Sequence, residues 1–102
     1  VDVSLFKELE PGDFLIIDNS HVMQPYGDTI LEFNFIVPLV PKGTIVHFHD
    51  IFVPYDYPLR WMTESRQYTE QFMFASFLYG NSHFKIALSV HNMDKHSKYR
   101  DE

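Results

Sequence analysis

The feature that most constrains this sequence is a pair of short apolar runs, each entered through a glycine turn and each ending on acidic and imidazole side chains. The first, Phe14-Leu15-Ile16-Ile17, follows Pro11-Gly12 and stops at Asp18; the second, Thr44 to His49, follows Lys42-Gly43 and stops at Asp50. Short runs of β-branched and aromatic residues between turn signals read as strands. The first is continuously apolar rather than alternating, which predicts a strand covered on both faces, as in a parallel sheet. Between the runs, Asn19 to Gly27 reads as a loop, and Asp28 as the cap of a helix from Ile30 to Val37 that Pro38 and Pro41 close. A strand, a helix and a second strand joined by a right-handed crossover lie parallel and side by side.

The remaining segments extend the same alternation. Ser4 is expected to cap a short helix from Leu5 to Leu9. Thr63 to Tyr79 carries Tyr68, Phe72, Ala75 and Tyr79 on one stripe and Phe74, Phe77 and Leu78 on another, predicting a long helix that packs on two sides. A helix apolar on both sides needs cover, so self-association into a homo-oligomer is expected. Phe84 to Val90 reads as a third strand, and residues 94–102 as a frayed charged tail. The fold class is therefore α/β, a partial and mostly parallel sheet flanked by helices, within one domain over residues 1–102.

Composition narrows the function classes. A hydrophobic fraction of 45% and an aromatic fraction of 17% exclude a disordered chain. A net charge of -6, with no dense run of Lys or Arg, excludes nucleic acid and anionic membrane as expected partners. No apolar run approaches the roughly 18 residues of a membrane span. The absence of cysteine removes disulfides and thiolate metal sites, and fits the reducing cytoplasm as the expected location.

Ligands of open parallel sheets gather beyond the carboxyl ends of the strands. Asp18-Asn19-Ser20-His21 and His47-Phe48-His49-Asp50 occupy those ends. Asp18, His21, His49 and Asp50 are the candidate catalytic residues, because a carboxylate beside an imidazole can accept a proton, ligate a metal or anchor a polar substrate. Asp18 reads equally as a loop cap. His47, inside its strand, reads as a packed core histidine. Tyr55, Asp56, Tyr57 and Arg60, in the following loop, are candidates for binding a small-molecule substrate. His83, His91 and His96 read as surface or packing residues.

These segments, Leu9 to His21, then Val40 to Phe52, Pro54-Tyr55-Asp56-Tyr57-Pro58 with Trp61, and Glu70-Gln71, together resemble bacterial class I S-adenosylmethionine-dependent methyltransferases. The likeness covers roughly Val3 to His91 and implies that the two strands are the fourth and fifth of a Rossmann-like sheet, in the carboxyl-terminal half of the domain. It implies transfer of a methyl group to an oxygen of a small molecule or sugar. The glycine-rich cofactor loop of that family belongs to an earlier half that this sequence lacks, so the chain alone is expected to be inactive. By the same resemblance Asp2 and Asp18 are cofactor-binding positions, and Asp18, His49 and Asp50 match those that hold a divalent metal in metal-dependent O-methyltransferases. Histidine among them suits a softer metal than magnesium, or no metal.

Two rivals come from other classes. Gly43 followed by His47-Phe48-His49 echoes the first metal motif of cupins, although Val53, Pro54 and Tyr55 stand where that motif expects a glutamate and the helical stretch suits a β-barrel poorly. A methyltransferase remnant serving only as an interaction module is the other.

Overall fold

The glycine turns set the frame. In the computed structural model, which describes residues 2–96, Pro11-Gly12 and Lys42-Gly43 lie against each other. Gly12 N donates to Gly43 O at 2.8 Å, and both glycines have φ of +92°. From these turns run β1 (Phe14–Ile17) and β2 (Ile45–Phe48), paired in parallel with Phe14 opposite Ile45 and Ile17 opposite Phe48. His49 N donates to Ile17 O at 3.0 Å, carrying the ladder to the start of the loops beyond.

The chain divides into two compact units, Val1–Asp50 and Ile51–Glu102. In the first, one face of the strand pair packs on the crossover. Ile17 is buried, and Phe48 stacks on Phe33 with centroids 5.2 Å apart. The other face, with Phe14, Ile16, Ile45 and His47, is exposed. The expectation that β1 is covered on both faces, and that His47 is a packed core histidine, is thus corrected. Within this unit only one layer packs on the strand pair, and a period of two puts Phe14, Ile16, Ile45 and His47 on its other side.

The crossover begins two residues earlier than the sequence predicts, as α1 (Asp28–Leu31) with Gly27 at its N-cap. It widens to a π-helix over Glu32–Ile36 and tightens to a 3-10 turn over Val37–Leu39. Pro38 supplies the reason: it has no N–H to give residue 34, and its ring crowds that carbonyl. Thr29, Phe33, Ile36 and Val37 bury the inner side of this stretch. Near the amino terminus the cap is Asp2, not Ser4. Asp2 Oδ1 accepts from the Ser4 amide at 3.0 Å and hydroxyl at 2.7 Å, over a 3-10 helix Val3–Glu8. Those two bonds hold the Asp2 carboxyl below its ordinary pKa.

The second unit is helical: α2 (Leu59–Thr63), α3 (Glu70–Gly80) and α4 (Val90–His96). The single helix expected from Thr63 to Tyr79 is broken. Ser65 takes φ of +58°, Arg66 N donates to Trp61 O at 3.0 Å, and Ser65 N to Met62 O at 3.3 Å. This is a Schellman stop with serine where glycine is usual. Trp61 is buried at the centre of an aromatic group, edge-on to Phe52 at 5.2 Å and to Tyr68 at 5.0 Å, with the Arg66 guanidinium 4.5 Å from its ring. Of the expected stripe, Phe72 and Tyr79 are exposed. The residues that α3 buries are Glu70 and Gln71. Phe74, Phe77 and Leu78 are half-buried, Phe77 against Phe84 at 5.3 Å.

Phe84 to Val90 forms no strand. Its alternating Ile86, Leu88 and Val90 are exposed, and a strand persists only where a neighbour accepts its backbone bonds. Val90 instead starts α4, which also contains Asp94; of the expected frayed tail, residues 97–102 lie outside the described residues. Among the described residues no helix is long and apolar enough to cross a membrane.

Candidate functional site

Two adjacent parallel strands end about 5 Å apart, so the residues that follow them are brought together by the ladder itself. Asp18 follows β1, and His49 and Asp50 follow β2. Asp50 turns back with φ of +59°, and His21, three residues past Asp18, takes φ of +61°. A left-handed conformation away from glycine costs on the order of 1 kcal/mol. Here it aims both side chains into one group.

The loop that delivers His21 is fastened from below. Asn19 Oδ1 accepts from the His21 amide at 2.8 Å, a side-chain turn that asparagine makes readily. Asn19 Nδ2 in turn donates to Glu32 of the crossover. Asp28 accepts from the Ser20 amide at 2.9 Å and from the Ser20 hydroxyl at 2.5 Å. Burial works to raise the Asp28 pKa, but the Ser20 and Thr29 hydrogen bonds outweigh it and hold the carboxyl below its ordinary value. The first turn of the crossover therefore anchors the loop, and the loop holds the histidine.

In the resulting cluster His21 Nε2 lies 3.2 Å from Asp18 Oδ1 and 3.5 Å from Asp50 Oδ2. His49 Nδ1 lies 3.2 Å from Asp50 Oδ1 and 3.8 Å from Asp18 Oδ1. One ligand atom from each of the four residues falls within 4.8 Å of the others. Exposure is uneven. The His21 side chain is 5% exposed and that of Asp50 27%, against 52% for His49 and 61% for Asp18. The group is closed on the His21 side and open on the side of Asp18 and His49. Such an arrangement can hold a cation, or move a proton between an imidazole and something in solution.

The structure thus brings together all four residues expected at the strand ends. His47 stands outside the group, exposed, its ring 6.1 Å from that of His49. Asp2 is occupied as a cap. The expected substrate-binding residues belong to the second unit and differ among themselves. Tyr55 and Asp56 line a cavity of about 270 Å³ with Val53, Pro54, Gln71, Phe72 and Ala75. Tyr57 lies in the aromatic group, its hydroxyl accepting from Gln71 N at 2.9 Å, and Arg60 is exposed. Gln71, which the resemblance includes without giving it a role, holds this loop: its amide oxygen accepts from Phe52 N at 3.0 Å and its amide nitrogen donates to Tyr55 O at 3.2 Å. His91 packs on Phe52 and Tyr55 with centroids 4.9 and 5.7 Å away.

No protein-family model matches the chain, and comparison with the curated proteins and with the solved structures finds no match.

Proposed function

We propose that the first unit is the acceptor side of a class I S-adenosylmethionine-dependent methyltransferase, in which Asp18, His21, His49 and Asp50 position and deprotonate an oxygen nucleophile. The observation that supports this reading is the convergence of two parallel strand ends, joined by a helical crossover, on one open His/Asp group. The two strands would be the fourth and fifth of a larger Rossmann-like sheet. The exposed Phe14, Ile16 and Ile45 face suits a sheet with a further layer to receive.

The cofactor supplies the electrophilic methyl group. These residues do not make its cradle, since Gly12, Gly27, Gly43 and Gly80 stand singly and no glycine-rich turn links a strand to a helix. What the chain carries is the acceptor chemistry. His49, open to solvent, would take the acceptor proton on a ring nitrogen. Asp50 at 3.2 Å would stabilise the imidazolium so formed, and Asp18 would orient the ring. Buried His21 would keep both carboxylates in place. Holding an acceptor beside its base at contact distance would contribute through proximity and orientation. Tyr55, Asp56, Tyr57 and Arg60 are the proposed acceptor-binding residues, for a small molecule or sugar.

The test is turnover of the complete protein that contains this chain, followed as S-adenosylhomocysteine release over a panel of hydroxyl acceptors. Asp18→Asn and His49→Ala should each slow it about 100-fold or more, while stability in urea changes by less than about 1 kcal/mol, as both side chains are exposed. Unchanged turnover in both variants overturns the assignment. An interaction module would show no turnover with any acceptor.

A further inference from the structure

The cavity of the second unit has walls of unequal kinds. Val53, Pro54 and Ala75 make it apolar, Tyr55 and Phe72 bring aromatic rings, and Asp56 carries the one charge among its described lining residues. That charge is not neutralised. Asp56 Oδ1 accepts from the neighbouring Tyr57 amide at 2.7 Å, and among the described residues no cationic side chain pairs with this carboxylate. Phe72 is 56% exposed, so the core does not account for its place. The wall is fixed before any ligand arrives. Buried Gln71 bonds Phe52 N, Tyr55 O and the Tyr57 hydroxyl, while the Tyr57 ring stands edge-on to Phe72 at 5.9 Å and His91 edge-on to Tyr55 at 5.7 Å. A wall held in this way loses little freedom when it binds.

We infer that this cavity binds the quaternary ammonium group of a small soluble molecule. Aromatic rings attract such a cation, one carboxylate balances its charge, and its N-methyl groups fill apolar space without needing hydrogen bonds. A primary ammonium would bring three N–H donors, and Asp56 is the one charged acceptor in the lining. At about 270 Å³ the cavity suits a single head group rather than a drug-sized ligand. The net charge of -6 draws cations and disfavours anions. The inference rests on the reading above in one respect, that the molecule carrying this group is the methyl acceptor. The cavity itself needs no methyl transfer.

The experiment is an NMR titration of the full chain with choline chloride, with its uncharged tert-butyl isostere and with ethanolamine, at matched ionic strength and with no methyl donor present. Choline should shift the amide signals of Tyr55, Asp56, Phe72 and Ala75 saturably, with a Kd of roughly 1 mM. The isostere should bind at least about tenfold more weakly, since it lacks the charge that the rings and the carboxylate recognise. Ethanolamine should also bind more weakly than choline. Asp56→Asn and Phe72→Leu should each weaken choline binding about threefold to fivefold, and Glu8→Gln, an exposed carboxylate of the first unit, should leave it unchanged. Both altered cavity side chains are exposed, and the ligand comparison needs no variant at all. No saturable shift, an isostere or ethanolamine that binds as tightly as choline, or equal losses in Glu8→Gln and Asp56→Asn overturns the inference. Pelleting of the chain with phosphatidylcholine vesicles overturns the assignment to a soluble molecule. Turnover of uncharged acceptors without choline binding removes this site and leaves methyl transfer standing. Choline binding in a protein that methylates nothing refutes methyl transfer and leaves the site.

Discussion

The two units solve the same problem, holding a short chain in place, by different means. Val1–Asp50 is framed by backbone: two glycine turns, a parallel ladder, and a loop tied by Asn19, Ser20 and Asp28. Ile51–Glu102 is framed by side chains: rings gathered round Trp61, and one glutamine that bonds three points of the 52–57 loop. Backbone framing puts exposed polar groups at reproducible positions without needing a large core. Framing by side chains spends the apolar residues on the frame itself. The titratable cluster sits in the first unit because a strand end is fixed by hydrogen bonds rather than by burial.

Removing a central ring tests this contrast most severely. Phe33→Ala in the first unit and Trp61→Ala in the second should each cost about 3–5 kcal/mol, since both rings are buried against other rings. Urea denaturation measures the loss. A cost below about 1 kcal/mol in either would show that the packing described does not hold that unit.

The glycine turns allow a finer test. At Gly43 an added Cβ would stand 2.8 Å from Pro11 Cβ and 3.1 Å from Pro11 Cα, whereas at Gly12 it would meet nothing within 4 Å. Both positions have φ of +92°, so both pay backbone strain, but only Gly43 also pays a clash. Gly43→Ala should destabilise by about 2 kcal/mol or more and Gly12→Ala by about 1. Equal costs would mean that the turns do not press on each other.

The smallest expected effect is at the loop. The Asp28 pKa is lowered in the folded chain. The stability it contributes is therefore present above the unfolded value near 4 and lost as pH falls through the folded one. Because the carboxylate is exposed, Asp28→Asn should cost only a few tenths to about 1 kcal/mol at neutral pH. The variant should converge with the parent under acid. A constant difference down to the lowest pH would show that the carboxylate does not tie the loop.

Much of the first unit is legible in the sequence because its signals are local. Pro-Gly and Lys-Gly announce turns, β-branched residues follow them, and adjacent parallel strands must end together, which brings Asp18 to His49 and Asp50. The burial of His21 is less legible. It depends on Asp28 and Glu32, eight and thirteen residues from the loop positions they hold. In the second unit the signals mislead for physical reasons. Ser65 makes a helix stop that ordinarily announces itself with glycine. The alternation of Phe84, Ile86 and Leu88 is a strand pattern without a strand to pair with among the described residues. Glu70 and Gln71 look like surface residues at the start of a helix, and are its most buried.

The central claim is that Asp18 and His49 act as parts of one site, and a double-mutant cycle on the proposed methyl transfer tests it most directly. If the two belong to one site, Asp18→Asn and His49→Ala each lower kcat/KM about 100-fold, and the double variant is little slower than either alone. Losses that multiply to about 10,000-fold would show two independent contributions, contradicting a single site built where the strands end.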